Sequence, residues 1–190
     1  MAVGFTPAAM RFCARVGAMR GLSWACTRNT GGAAPTRETT MMRFNHMELT
    51  VPIGSLTTAM RKEVDDFYGS VFGWTGLDTV VVNQDCHLLQ VDPYTNSFIL
   101  LAEYKKPLSS PGYDHLGLLQ DTREEVDALL EGCREYQKHD DRVQIKEYED
   151  LVSPTLTVHA FYVKYLLPIW FDVQCLERDP GVKIPGWTYA

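Results

Sequence analysis

Two stretches of this chain are built alike, and each carries a histidine near its start. They are Phe44-Asn45-His46-Met47-Glu48-Leu49-Thr50-Val51 and Tyr113-Asp114-His115-Leu116-Gly117-Leu118-Leu119-Gln120. Side chains that alternate with period 2 define a strand with two faces. In the first stretch His46, Glu48 and Thr50 share a polar face, and Met47, Leu49 and Val51 share an apolar one. In the second, His115, Gly117 and Leu119 point one way, and Leu116, Leu118 and Gln120 point the other. A strand of this kind packs its apolar face on helices and lines a wet cavity with the other.

The segments after these two strands also repeat. Residues 57–72 place Met60, Val64, Phe67, Val71 and Phe72 at helical spacing opposite Arg61, Lys62, Glu63, Asp65 and Asp66, and Gly73 ends the run. Strands are expected at about 77–83, 86–91 and 97–103, with turns at Asn83-Gln84-Asp85 and Asp92 to Asn96. After 113–120, Thr122 and Glu125 form a capping-box signature. A helix over 122–138 gathers Val126, Leu129, Leu130, Cys133 and Tyr136 on one face. Strands are then expected at about 143–148, 156–164 and 169–175. The pattern is strand, helix, three strands, twice over. It predicts an α+β fold with helices outside a curved sheet.

Three side chains stand out for chemistry. His46 and His115 lie on the polar faces of the two leading strands. On the last strand Trp170, Asp172 and Gln174 alternate with Ile169, Phe171, Val173 and Cys175, so Asp172 also points to a cavity side. A carboxylate in such company needs a partner, and a divalent metal is one. Two imidazoles and one carboxylate are the facial set that holds Fe(II), Mn(II) or Zn(II) and leaves positions open for substrate. His87 and His159 also lie on strands, and parity alone does not assign their face.

Composition narrows the function classes. Residues 1–41 hold five arginines and one acid, leaving 13 basic and 23 acidic residues for the rest of the chain. An acidic body is a poor binder of phosphate backbones, so nucleic acid is not an expected partner. No apolar run approaches membrane-span length. Five cysteines without C-x-x-C spacing argue for reduced thiols in a cytoplasmic setting and against thiolate-bound zinc. Residues 1–41 read as a disordered extension or an upstream start, 42–177 as one domain of two modules (42–104 and 112–177), and 178–190 as a Pro/Gly-rich tail.

Residues 43–177 resemble the vicinal oxygen chelate superfamily, which includes glyoxalase I, the fosfomycin and bleomycin resistance proteins and the extradiol dioxygenases. The matching pieces are His46 to Val51, then Phe67-Tyr68-Gly69-Ser70-Val71-Phe72-Gly73-Trp74; Asp114-His115-Leu116-Gly117-Leu118; and Phe161-Tyr162-Val163-Lys164 through Asp172. The resemblance implies paired βαβββ modules forming a cup around one divalent metal, with His46, His115 and Asp172 as ligands. It implies a small-molecule substrate with vicinal oxygens and a homodimer. Tyr162, ten residues before Asp172, matches a tyrosine that hydrogen-bonds substrate in the dioxygenases. Glu103 lies on the strand that supplies a fourth ligand in glyoxalase I-like members, but it sits late in that strand beside Tyr104-Lys105-Lys106, where a solvated or ion-paired strand end is expected and a fourth ligand is not. Two departures stand out: Asp172 replaces the usual glutamate, and Tyr165-Leu166-Leu167-Pro168 replaces the usual Asp-Pro-Asp-Gly turn. Together these features favour Fe(II) or Mn(II) over Zn(II) or Ni(II), and dioxygenase-like or lyase-like chemistry over that of glyoxalase I. A metal-free binding or resistance protein is the alternative from another class.

Overall fold

The computed structural model describes residues 44–182. The expectations for residues 1–41 and for the end of the tail lie outside that range. The first module runs β1 (His46–Pro52), α1 (Thr58–Phe72), β2 (Thr75–Val81), β3 (Gln84–Asp92) and β4 (Ser97–Tyr104). The second runs β5 (His115–Leu119), α2 (Arg123–Gln137), β6 (Gln144–Glu147), β7 (Leu151–Ser153), β8 (Leu156–Lys164) and β9 (Trp170–Arg178). The repeat is therefore present. The second module adds β7, a three-residue strand that pairs with β8 and that the sequence pattern did not announce.

Local chemistry accounts for the ends of the helices. The Thr57 side chain accepts from the Met60 amide at the start of α1, and Gly73 closes it in the left-handed conformation at φ 70°. Thr122 and Glu125 make both bonds of a capping box at α2. The β2–β3 connection is a two-residue hairpin loop with Val82 at φ 51° and Asn83 at φ 63°. Asparagine tolerates this conformation. Valine, branched at Cβ, is strained there.

Each module forms its own sheet. The first has the order β1-β4-β3-β2; the second has β5-β9-β8-β6 with β7 beside β8. β1 and β5 are thus both edge strands, each parallel to its one neighbour. The two sheets share a single core. Leu49, Val51, Leu89, Ile99 and Leu101 come from the first sheet, Phe161, Val163, Phe171 and Val173 from the second, and Val64, Phe67, Val126 and Cys133 from the helices between them. Aromatic rings stitch the halves together. Tyr68 of α1 donates its hydroxyl to the Tyr165 carbonyl at 3.0 Å. Its ring meets Phe171 edge-on at 5.6 Å, and Phe67 lies 5.0 Å from Tyr136 of α2. Because both helix-facing sides look into this core, the two opposite faces look away from it.

A polar constellation occurs once in each module, and sequence reasoning missed it. His87 of β3 is 2% exposed, and its ring nitrogens contact Asp78 at 2.8 Å and Asp65 at 2.7 Å. Arg61 pairs with Asp78 at 2.8 Å. In the second module His159 of β8 contacts Asp150 at 2.8 Å and Asp127 at 2.9 Å, and Arg123 pairs with Asp150 at 2.6 Å. Arg123 and Asp127 come 62 residues after Arg61 and Asp65; Asp150 and His159 come 72 after Asp78 and His87. Each set pins a helix to its own sheet. Gly76 makes room for the first, since a Cβ there would lie 1.8 Å from the Asp65 carboxylate.

The strained loop and the second histidine set each lead to a measurable outcome. Val82→Asn relieves strain at an exposed position and should raise stability by about 1 kcal/mol, read as a higher urea midpoint at unchanged m. The other outcome concerns pH. Burial pulls the His159 imidazole down, but the Asp150 and Asp127 carboxylates outweigh it and hold its pKa above the ordinary value; Arg123 Nη1, 2.8 Å from Nδ1, limits the rise. Arg123 first and His159 second hold Asp150 down to about 2. A raised histidine stabilises fully below its unfolded value, and this contribution is lost as pH climbs through the folded one. A depressed carboxylate stabilises above its unfolded value, and this is lost in acid. Thermal stability should therefore peak between roughly pH 4.5 and 6.5. His159→Gln should flatten the decline between about pH 6.5 and 8; an unchanged slope there would refute the assignment.

Candidate metal centre

The outward faces carry the residues singled out from the sequence, and strand parity explains how. On the second sheet His115 and Gly117 of β5, Trp170, Asp172 and Gln174 of β9, and Tyr162 and Lys164 of β8 share the face away from the helices. Asp172 lies beside Gly117 on one side and Tyr162 on the other. On the first sheet His46 shares its outward face with Phe98, Gln90 and Thr75, one from each neighbouring strand.

His115 and Asp172 face one another. Nε2 of His115 is 3.8 Å from Oδ2 of Asp172. Nδ1 of His115 lies 2.7 Å from the Tyr113 carbonyl, which can only accept. That bond fixes the proton on Nδ1 and turns the Nε2 lone pair towards the carboxylate. Asp172 is 7% exposed, and its Oδ1 has no hydrogen-bond partner among the described residues. Burial pushes its pKa above the usual carboxylate value, only partly offset by His115. A lone pair aimed at a buried, under-satisfied carboxylate suits a cation between them. Two donors on one such ion sit roughly 3.0–3.6 Å apart, so the observed gap needs a small adjustment.

Tyr162 adjoins this pair. It stands directly opposite Asp172 in the β8–β9 register, and its ring centroid is 4.9 Å from that of His115. Burial first and the Asp172 charge second push its phenol up, so it stays protonated and able to donate.

His46 does not join them within the chain. Its Nδ1 lies 2.8 Å from Oδ1 of Asn45, and its ring stacks on Phe98 at 4.7 Å; Nε2 has no hydrogen-bond partner among the described residues. Among the described residues no three His, Cys, Asp or Glu side chains gather as a metal-binding group. His46, expected from the sequence to share an ion with His115 and Asp172, lies on a different outward face, because the shared core turns the face bearing His46 away from the face bearing Asp172. Beside His46's stacking partner Phe98 lies a cleft of about 410 Å³, lined by Asn45, Thr75, Leu77, Leu88, Gln90 and Phe98 among others.

Glu103 belongs to neither face. With Ile99 and Leu101 it looks towards the helix side. Its Oε1 accepts from the Leu56 amide at 2.8 Å, and the Gly54 and Leu56 amides hold its pKa down. It staples the β1–α1 connection. His87 and His159 likewise point to the helices and not to the centre.

The outer edges of β1 and β5 carry a further clue. Asn45 accepts from Phe98, so odd-numbered residues of β1 bond β4, and His46 and Glu48 present their backbone groups outwards. Thr50 does too, with its carbonyl taken by Leu108. Asp114 and Gln120 bond β9, leaving His115, Gly117 and Leu119 facing out. No strand among the described residues pairs with either edge.

Comparison with known proteins agrees with this architecture. No protein-family model matches the chain, and no curated protein matches it. Solved structures do match. The fosfomycin resistance protein FosX from Listeria monocytogenes is 15% identical, with a TM-score of 0.50 over 70% of this chain and 90% of that one. A glyoxylase/bleomycin resistance protein/dioxygenase domain from Frankia sp. EAN1pec is 16% identical, with a TM-score of 0.49 over 75% and 96%. A FosX form complexed with Mn(II) and sulfate ion is 16% identical, with a TM-score of 0.48 over 71% and 90%. Among the described residues no helix is long and apolar enough to cross a membrane. Among the described residues two strand–helix–strands modules, the second with β7 added to the βαβββ order, form two mixed sheets and no closed barrel, and the chain has the vicinal oxygen chelate fold.

Proposed function

We propose that this protein is a divalent-metal enzyme acting on a small substrate with neighbouring oxygens, and that each site draws on two copies of the chain. The observation that carries the reading is Asp172: a buried carboxylate with one oxygen lacking a partner among the described residues, faced by an imidazole whose tautomer leaves Nε2 as a lone pair. His115 and Asp172 of one copy would hold the ion together with His46 of the other. The open outer edges of β1 and β5 favour such an assembly, because closing a sheet edge removes exposed backbone groups.

The ion, when bound, would act as a Lewis acid towards the substrate oxygens, and Fe(II) or Mn(II) suits the donor set best. The residues of the chain do the rest. Tyr162 keeps its proton and would donate a hydrogen bond to a substrate oxygen. The Tyr113 carbonyl keeps the His115 ring oriented. The apolar lining formed by Leu77, Leu88 and Phe98 would exclude water from the other side. Dioxygenase-like or lyase-like chemistry suits this site better than that of glyoxalase I, because Glu103 is engaged with the Leu56 amide.

Metal analysis after anaerobic loading with Fe(II) or Mn(II) tests the proposal, with oxygen uptake then measured over a panel of catechols. Wild-type protein should retain about one ion per chain. Asp172→Asn should lose it while melting at a higher temperature than the metal-free wild type, because a buried charge without a partner is gone. If wild-type protein takes up no metal, ligand binding without chemistry becomes the better reading.

The shared site has its own test. His46→Ala and Asp172→Asn should each abolish stoichiometric metal. Chains of the two kinds refolded together should regain about a quarter of the sites, since half the dimers are mixed and each mixed dimer holds one intact site. No recovery, or a monomeric mass by light scattering at micromolar concentration, would exclude it.

A further inference from the structure

The outward face of the second sheet also carries a cation that no anion among the described residues answers. Lys146 of β6 places Nζ 3.8 Å from the centroid of the Tyr113 ring and 4.8 Å from that of Tyr148. The lysine ion pairs among the described residues belong to Lys62 and Lys138, not to Lys146. The Tyr113 and Tyr148 hydroxyls hold its ammonium above the ordinary lysine value, so it is charged at neutral pH. Lys146 also lies in register with Tyr162, which lies in register with Asp172. The three form one row across the sheet: ammonium, phenol, carboxylate.

The row has a length. Adjacent strands are about 4.8 Å apart, so the backbones of Lys146 and Asp172 stand two spacings, or about 10 Å, from one another. The space between is aromatic. The Tyr162 ring is 5.0 Å from Tyr148, 6.2 Å from Tyr113 and 4.9 Å from His115. A bare ammonium against aromatic faces gains a modest cation–π attraction. The same ammonium gains a charge-assisted hydrogen bond if a ligand brings an anion, and the surrounding rings shield that bond from water.

We infer that Lys146 recognises the acidic group of a flat aromatic ligand whose paired oxygens lie at the Asp172 end and whose ring rests on Tyr162. The inference deepens the proposed function, and its ligand end rests on that reading. The substrate class becomes an aromatic acid. An arene with two adjacent oxygens and a carboxylate opposite them measures about 6 Å from oxygen to carboxylate. With a hydrogen bond of about 2.8 Å at the lysine and an ion at the Asp172 end, such a ligand reaches from β6 to β9. Neutral arenes of the same shape would leave the ammonium without an anion.

Calorimetric titration of the metal-loaded protein with 3,4-dihydroxybenzoate and with catechol tests this, using wild type, Lys146→Met and Lys146→Arg. Wild type should bind the acid at least tenfold more tightly than catechol. Lys146→Met should lose that preference and hold catechol within about twofold of wild type, while Lys146→Arg restores most of the preference. A second arm uses metal-free protein with benzoate and benzyl alcohol, which lack paired oxygens. A Lys146-dependent preference for benzoate there, in a protein that takes up no metal, would support the lysine's role and reject the metal reading. Equal binding of acid and neutral probes by wild type, or a preference that survives Lys146→Met, would overturn the inference.

Discussion

The aromatic seam between the modules governs everything else in this structure. Tyr68 donates to the Tyr165 carbonyl while its ring meets Phe171, and Phe67 packs against both Tyr136 and Tyr165. Rings of this size bury much apolar area, and their edge-on contacts add to it. Once α1 is committed to this seam, the helix-facing sides of both sheets are committed with it. The opposite faces and both outer edges are left for function.

The two outward faces are unlike, and the difference has a chemical sense. The first sheet offers an apolar wall of Leu88, Phe98 and Leu100 around a histidine stacked on Phe98. The second offers a charged and aromatic wall with Asp172 at its centre. Brought together, such walls would make a cavity with one dry side and one reactive side, the usual plan of a small-molecule site. Duplication supplies matching frameworks, and divergence of the faces supplies the chemistry.

Much of this was legible in the sequence. Alternation along 44–51 and 169–175 assigned the faces of His46 and Asp172 correctly, because period 2 is a local property of a strand. Thr57, Gly73 and the Thr122–Glu125 box act within one turn of their helices, so the helix ends could be read as well. The relative placement of the modules could not be read. It depends on which aromatic residues meet across more than ninety residues of chain, as Tyr68 and Tyr165 do. That is why two of the three expected ligands meet within one chain and His46 does not. The partners of His87 and His159 were missed for the same reason, although their equal spacing from one module to the next was a signal that could have been used.

The twin histidine–carboxylate sets have a mechanical meaning. Each half of the molecule owns a private latch that bolts its helix to its strands, and the seam commits the two halves to one core. Damage to one latch, as at Gly76 where Asp65 has no spare room, loosens that half first. Because both halves bury one core, the loosening should travel through the seam to the second sheet and its reactive wall.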